Sequence, residues 1–279
     1  MPKLHRISTP ADPRRATHRH RVAWLSLWLL AMTWAVAPAI AKDMSAPEDR
    51  SKLWTLVHDR CVSSAARNHR APLPCVEVDV SNGAASGYAV LKDRVGRYQY
   101  LVMPLARITG IESPALRASD APNYFADAWT ARLYVEAALH AAQSRDALSL
   151  VVNSALNRSQ DQLHIHVDCI RSDVHAALLR LLPTIDERWR PLATPLPPNG
   201  HAYWARWVDG ETLPINPFKS LAASLQTGDS MARHSLAVVG ARSASGKPGF
   251  ILLSGRVDQH GDDHDSGEEL QDHACAIAF

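Results

Sequence analysis

Cysteine is scarce, with four residues in 279, and no two of them form a C-x-x-C pair, so the usual structural zinc spacing is missing. The chain also lacks a P-loop, a G-x-G-x-x-G turn, an H-E-x-x-H helix and any internal sequence repeat. Phosphate-loop, dinucleotide and zincin chemistries therefore have no motif to rest on. Acidic residues are almost absent from the first forty-one positions, where Asp12 alone opposes Lys3, Arg6, Arg14, Arg15, Arg19 and Arg21. The formal net charge of +2 comes from that tail, and the remainder is mildly acidic. A basic surface able to neutralise nucleic-acid phosphates is missing, so no nucleic-acid partner is expected. A composition of 46% hydrophobic and 21% charged residues is that of a globular chain, with room for one large domain or two small ones.

Charge of either sign is absent from Val22 to Ala41. As a helix this segment would span roughly 30 Å, the thickness of a bilayer core. It reads as a single-pass anchor or as a signal peptide. The Ala39-Ile40-Ala41 ending after Pro38 favours cleavage at Ala41, whereas the length and Trp24, Trp28 and Trp34 favour retention. Either way the basic tail 1–21 stays in the cytoplasm and everything after residue 41 is exported. The expected location is an inner membrane with the exported part in the periplasm, or a soluble periplasmic protein after cleavage. All four cysteines then lie in an oxidising compartment, and an even number suits disulfides. Cys61 with Cys75 would close a short loop, worth on the order of 3 kcal/mol. That leaves Cys169 to tie down Cys275.

Helical spacing of Leu53, Leu56, Val57 and Cys61 predicts a helix over 47–69, ended by APLP. GYAVLKDR (87–94) and YQYLVMPLARI (98–108) predict a β-hairpin. The strongest helix is 123–145, with Phe125, Trp129, Leu133 and Ala137 expected along its buried face. LSLVVNSA (148–155) and QLHIHVDCI (162–170) predict two antiparallel strands, followed by a helix at 172–182. The proline-rich stretch 183–199 reads as a connection, and HSLAVVGAR and GFILLSGRV as two more strands. The last loop, DQHGDDHDSGEELQDH, reads as a solvated acidic segment.

The chemistry concentrates in SQDQLHIHVDCIR, residues 159–171. Strand alternation places Gln160, Gln162, His164, His166 and Asp168 on one face, expected to be the wet one, and Leu163, Ile165, Val167 and Cys169 on the core face. Three readings follow: a solvated polar face, a metal set of His164, His166 and Asp168, or a pair of imidazoles working at phosphorus. Neutral imidazole is a competent nucleophile because its pKa lies close to 7.

The polar loop followed by L-H-I-H-V resembles the histidine-triad superfamily. Nearly the whole length after residue 50 resembles the bacterial CDP-diacylglycerol pyrophosphatases: GYAVLKDR, YQYLVMPLARITGIESP, PNYFADAWTAR, LVVNS, HIHVDCIRSDV, RWRPL, His201-x-Tyr203, NPF and the terminal E-x-Q-D-H-x-C. The resemblance implies an α+β fold, a histidine-triad-like antiparallel sheet with packed helices over 46–185. A C-terminal α+β extension over 186–279 would stand in for a second such unit. It implies hydrolysis of CDP-diacylglycerol to CMP and phosphatidate without cofactor or metal, on a liponucleotide met at the membrane surface. His164 would be the nucleophile, His166 its assistant, and Asn153 and Ser159 phosphate holders, with Lys92, Arg107 and Arg171 available to neutralise the pyrophosphate. Gln162 stands where the triad has its first histidine; its amide can orient His164 but cannot titrate. Asp168 becomes a bystander. A hydrolase or transferase acting on a soluble nucleotide conjugate, and a non-catalytic envelope binder, stay open as alternatives.

Overall fold

The computed structural model describes residues 49–68, 72–257 and 266–279. The basic tail, the apolar run 22–41 and the Ala41 junction lie outside the described residues. Among the described residues no helix is long and apolar enough to cross a membrane.

The architecture is mixed α/β, with nine strands in one antiparallel sheet ordered β1-β2-β3-β5-β4-β8-β9-β7-β6. These are β1 (Glu77–Asp79), β2 (Tyr88–Lys92), β3 (Tyr100–Pro104), β4 (Leu148–Val152), β5 (Ile165–Cys169), β6 (Arg190–Pro191), β7 (Tyr203–Asp209), β8 (His234–Arg242) and β9 (Pro248–Arg256). Both expected hairpins form, β2 with β3 and β4 with β5. The first helix is one winding path: α1 (Lys52–Thr55), a π-helical turn (Leu56–Val62) and α2 (Ser63–Arg67). Then come α3 (Tyr124–Leu139), α4 (Ser172–Leu181) and the short α5 (Pro217–Ala222).

Two expectations need correction here. Helix α3 buries Phe125, Ala128, Trp129, Val135 and Leu139, whereas Leu133 and Ala137 face water. The buried stripe follows spacings of three and four residues, and the i, i+4, i+8, i+12 series drifts off that stripe. The proline-rich connection also contributes a strand, β6, at the sheet edge, where proline's missing N–H costs no ladder bond. It pairs with β7, whose alternation of buried Tyr203, Ala205 and Trp207 with outward Trp204 and Arg206 is a strand pattern that sequence reading passed over.

The strand order carries a repeat invisible in the sequence. Outward from the central β4–β8 pair the strands run β4, β5, β3, β2 on one side and β8, β9, β7, β6 on the other. Each set arises as hairpin, helix, hairpin, with α3 in the first and α5 in the second. Residues 47–279 form one compact unit, and the sheet is continuous through the 185/186 boundary.

Both faces of the sheet are covered, and this positions the site. On one face α3 and α5 pack over Val102, Ile165, Val167, Leu150, Leu236 and Leu252. On the other lie two separate apolar clusters. The first joins Val57 and Cys61 to Ala89, Leu101 and Met103, and the second joins α4 to Val151, Ala237, Val239, Ile251 and Leu253. The histidines stand on this second face, between the two clusters.

Candidate active site

Cross-strand register gives a single row, Leu91–Leu101–His166–Val151–Ala237–Leu253. His166 interrupts an otherwise apolar row, and His164 lies two residues away on the same face, with ring centroids 4.9 Å apart. Their face is not wet: His164 is 9% and His166 5% exposed, because the flanking clusters and the C-terminal segment close over them. Both open into a cavity of about 550 Å³.

The His164 ring is held in one tautomer. Its Nδ1 lies 2.6 Å from the Gln162 carbonyl oxygen, which only accepts, so Nδ1 carries the proton and Nε2 the lone pair. Burial holds the His164 pKa below its ordinary value of 6.5. Burial, reinforced by the neighbouring His164, holds that of His166 well below it. Both rings are therefore neutral at pH 7. Neither nitrogen of His166 has a hydrogen-bond partner, although Nε2 is 3.2 Å from Glu268 Oε1. The carboxylate lies off the line of a hydrogen bond, so the buried ring keeps two unsatisfied nitrogens beside the cavity.

The expected residues divide. Asn153 and Ser159 line the cavity with the histidines. Asn153 Nδ2 donates to Glu268 Oε1, and its Oδ1 accepts from Ser266 Oγ at 3.3 Å. Gln162 is fully buried, but its amide does not touch His164: Nε2 donates to the Pro104 and Ala106 carbonyls at 2.9 and 3.1 Å. It is the backbone of Gln162, not its side chain, that orients the ring. Lys92 and Arg171 are not brought to the cavity. Lys92 belongs to the row Lys92–Tyr100–Val167 on the opposite face, and its Nζ is spent on the Asp93 and Gly96 carbonyls. Arg171 turns outward to Asp173 at 2.8 Å. Arg107 lies over the Trp54 ring. In their place the cavity takes Lys52 and Arg94, with Asp93 opposing them.

Asp168 does not line the cavity. Fully buried, it accepts from the Cys169 N–H and pairs with His273 Nδ1 at 2.8 Å. Burial raises its carboxyl pKa against those bonds, and the bond to Asp168 raises that of His273. Among the described residues the group of possible metal-ligand atoms that converges is Asp168, Cys169 and Cys275, and its two sulfurs are joined in a disulfide.

The expectation of a wholly solvated acidic loop fails over 266–273. Disulfides form between Cys61 and Cys75 and between Cys169 and Cys275, as expected. The second fastens the C-terminal segment to the end of β5, where Arg171 N–H donates to Leu270 O and Asp272 N–H to Cys169 O. Gln271 Nε2 then reaches the carbonyls of Ser149 and His166 behind the site. Gly267 permits the close passage, since a Cβ there would lie 2.6 Å from Val151 Cγ1. Glu268 is thereby delivered to His166 from about a hundred residues away. The acidic run was visible in the sequence; that Glu268 faces His166 and Glu269 faces His201 and Tyr203 was not.

Fold and site together define a mixed α/β enzyme built on an antiparallel sheet, with a buried, neutral histidine pair facing a cavity. A family model described as CDP-diacylglycerol pyrophosphatase matches residues 48–279. The CDP-diacylglycerol pyrophosphatase of Yersinia pestis is 37% identical over 227 residues, covering 81% of this chain and 84% of the relative. The chain belongs to the CDP-diacylglycerol pyrophosphatase family and is a hydrolase acting on phosphorus anhydrides.

Proposed function

We propose that this chain hydrolyses CDP-diacylglycerol to CMP and phosphatidate by the histidine-nucleotidyl route of histidine-triad enzymes. The observation that carries the reading is the His164 Nδ1–H bond to the Gln162 carbonyl, which leaves Nε2 as a neutral nucleophile in the cavity. Its lone pair attacks the cytidine-side phosphorus, and the bond to the bridging oxygen breaks with its electron pair leaving on phosphatidate. The cation formed on the ring is stabilised by the same short bond at Nδ1, which strengthens as charge develops. Water then attacks the phosphorus, the N–P bond breaks, and CMP leaves while the lone pair returns to Nε2. His166, with Glu268 beside it, binds a phosphate oxygen and handles the proton lost by water. Asn153 and Ser159 donate to phosphate oxygens, and Lys52 and Arg94 offset the pyrophosphate charge. This chemistry uses no metal.

The substrate lies in a bilayer, so an exported domain tethered or released near the inner membrane meets it there; the disulfides are compatible with the periplasm. Purified protein incubated with CDP-diacylglycerol in detergent and EDTA is expected to release CMP, with His164→Ala lowering the rate about a thousandfold or more. Activity abolished by EDTA, or unaffected by His164→Ala, overturns the mechanism.

A further inference from the structure

The histidine cavity is lined by two chemically different sets of side chains. Asn153, Asn157, Ser159 and Gln160 are its polar lining beside His164 and His166. Its aliphatic lining is one packed patch: Leu53 and Leu56 from the first helix, Leu91 from β2 and Leu101 from β3. The two sets meet where the Leu53 N–H donates to Gln160 Oε1 at 3.0 Å. Leu101 forms the buried floor, next to His166 in the same cross-strand row, while Leu53, Leu56 and Leu91 remain partly open. Val95, on the turn between β2 and β3, stands at the rim with 59% of its surface exposed, flanked by the exposed cations Lys52 and Arg94.

Such a wall has no hydrogen-bonding edge and no ring for a pyrimidine to stack on, so cytosine gains nothing there. It suits methylene groups, whose transfer from water to a hydrocarbon surface is favourable and needs no directional partner. A liponucleotide needs polar groups around its headgroup and an apolar surface for its chains, and the cavity lining holds both. The helix that supplies Leu53 and Leu56 departs from α-geometry at Leu56–Val62, a π-turn of the kind that recurs beside functional sites. We infer that the Leu53–Leu56–Leu91–Leu101 wall is an acyl subsite, holding the glycerol-proximal methylenes of the substrate. This rests on the proposed reaction for the identity of the lipid.

The test uses the whole protein and substrates short enough to stay monomeric: CDP-glycerol, its dibutyryl ester and its dihexanoyl ester. For the first few methylenes kcat/KM is expected to climb by about fourfold per methylene buried, then to level off as the wall is covered. Leu56→Asn and the rim variant Val95→Asp should flatten the climb, with melting temperatures checking that each has folded. Equal kcat/KM for CDP-glycerol and its esters, or a climb unchanged in both variants, overturns the subsite while leaving the hydrolysis intact. No CMP from any substrate overturns the reaction instead. The subsite is then read by calorimetric binding of dihexanoyl phosphatidate to His164→Ala protein, where absent binding, or binding unchanged by Leu56→Asn, overturns it.

Discussion

At the scale of single residues, the two histidines differ in what holds them. His164 is fixed by a backbone carbonyl two residues back, so its tautomer depends on chain path and not on the side chain at 162. The Gln162 amide instead bridges the Pro104 and Ala106 carbonyls at the end of β3 and supports the chain there. For both His164 and His166 burial pushes the pKa down, so the fold favours the neutral ring. The sign follows: stability from these groups is present above the ordinary value of 6.5 and is lost as pH falls through the lower folded value. The acidic limb of kcat/KM is accordingly expected below pH 6.5, measured as CMP release across pH 4 to 8. A limb at or above 6.5 would remove the case for a pre-neutralised nucleophile. These residues were legible in the sequence because the H-x-H spacing and flanking loop are local; their burial was not, since it depends on covering elements far along the chain.

At the scale of elements, the C-terminal segment matters most. It lies against the end of β5, fastened by Cys169–Cys275, and so carries Glu268 and Gln271 to the back and rim of the site. Closing a loop of about a hundred residues is worth roughly 4–5 kcal/mol in the chain-entropy account. Cys275→Ser is expected to lower unfolding stability by an amount of that order and to reduce kcat/KM at full folding, because Glu268 loses its tether. Denaturant titration and CMP assay on the same sample read both, and unchanged activity in the folded variant would show that the tether is dispensable. Strand alternation also explains the misplaced cations. Lys92 and Leu91 are neighbours in sequence and therefore on opposite faces, and only the register with β3 and β5 tells which face holds the histidines.

At the scale of the whole molecule, the two halves share one sheet through β4 and β8, whose Leu150 and Leu236 contribute to the same apolar face. An interface made of ladder bonds and a common core gives neither half a boundary at which to melt alone. Circular dichroism and tryptophan fluorescence should report one coincident denaturant transition for residues 47–279, and two separated transitions would show independent halves. The resemblance raised a second unit as an expectation, but no residue pattern located the topological repeat, because the second half keeps strand order and not residue types. The face that bears His164 and His166 on β5 carries Ile251 and Leu253 on β9, closed by α4. The histidine pair thus lies in the first half, while the second completes the sheet and brings Glu268 beside His166.

By itself the sequence determined the periodicities: the two hairpins, the strong helix, the H-x-H strand and an even set of cysteines in a segment read as exported. Each is set by residues within a few positions of one another, where side-chain spacing and backbone geometry dictate the outcome. Tertiary structure alone decided which cations reach the cavity, that Glu268 joins His166, that Asp168 serves His273, and that the polar face is buried between two apolar clusters. Those outcomes depend on register and on contacts across a hundred residues or more, which no local pattern encodes.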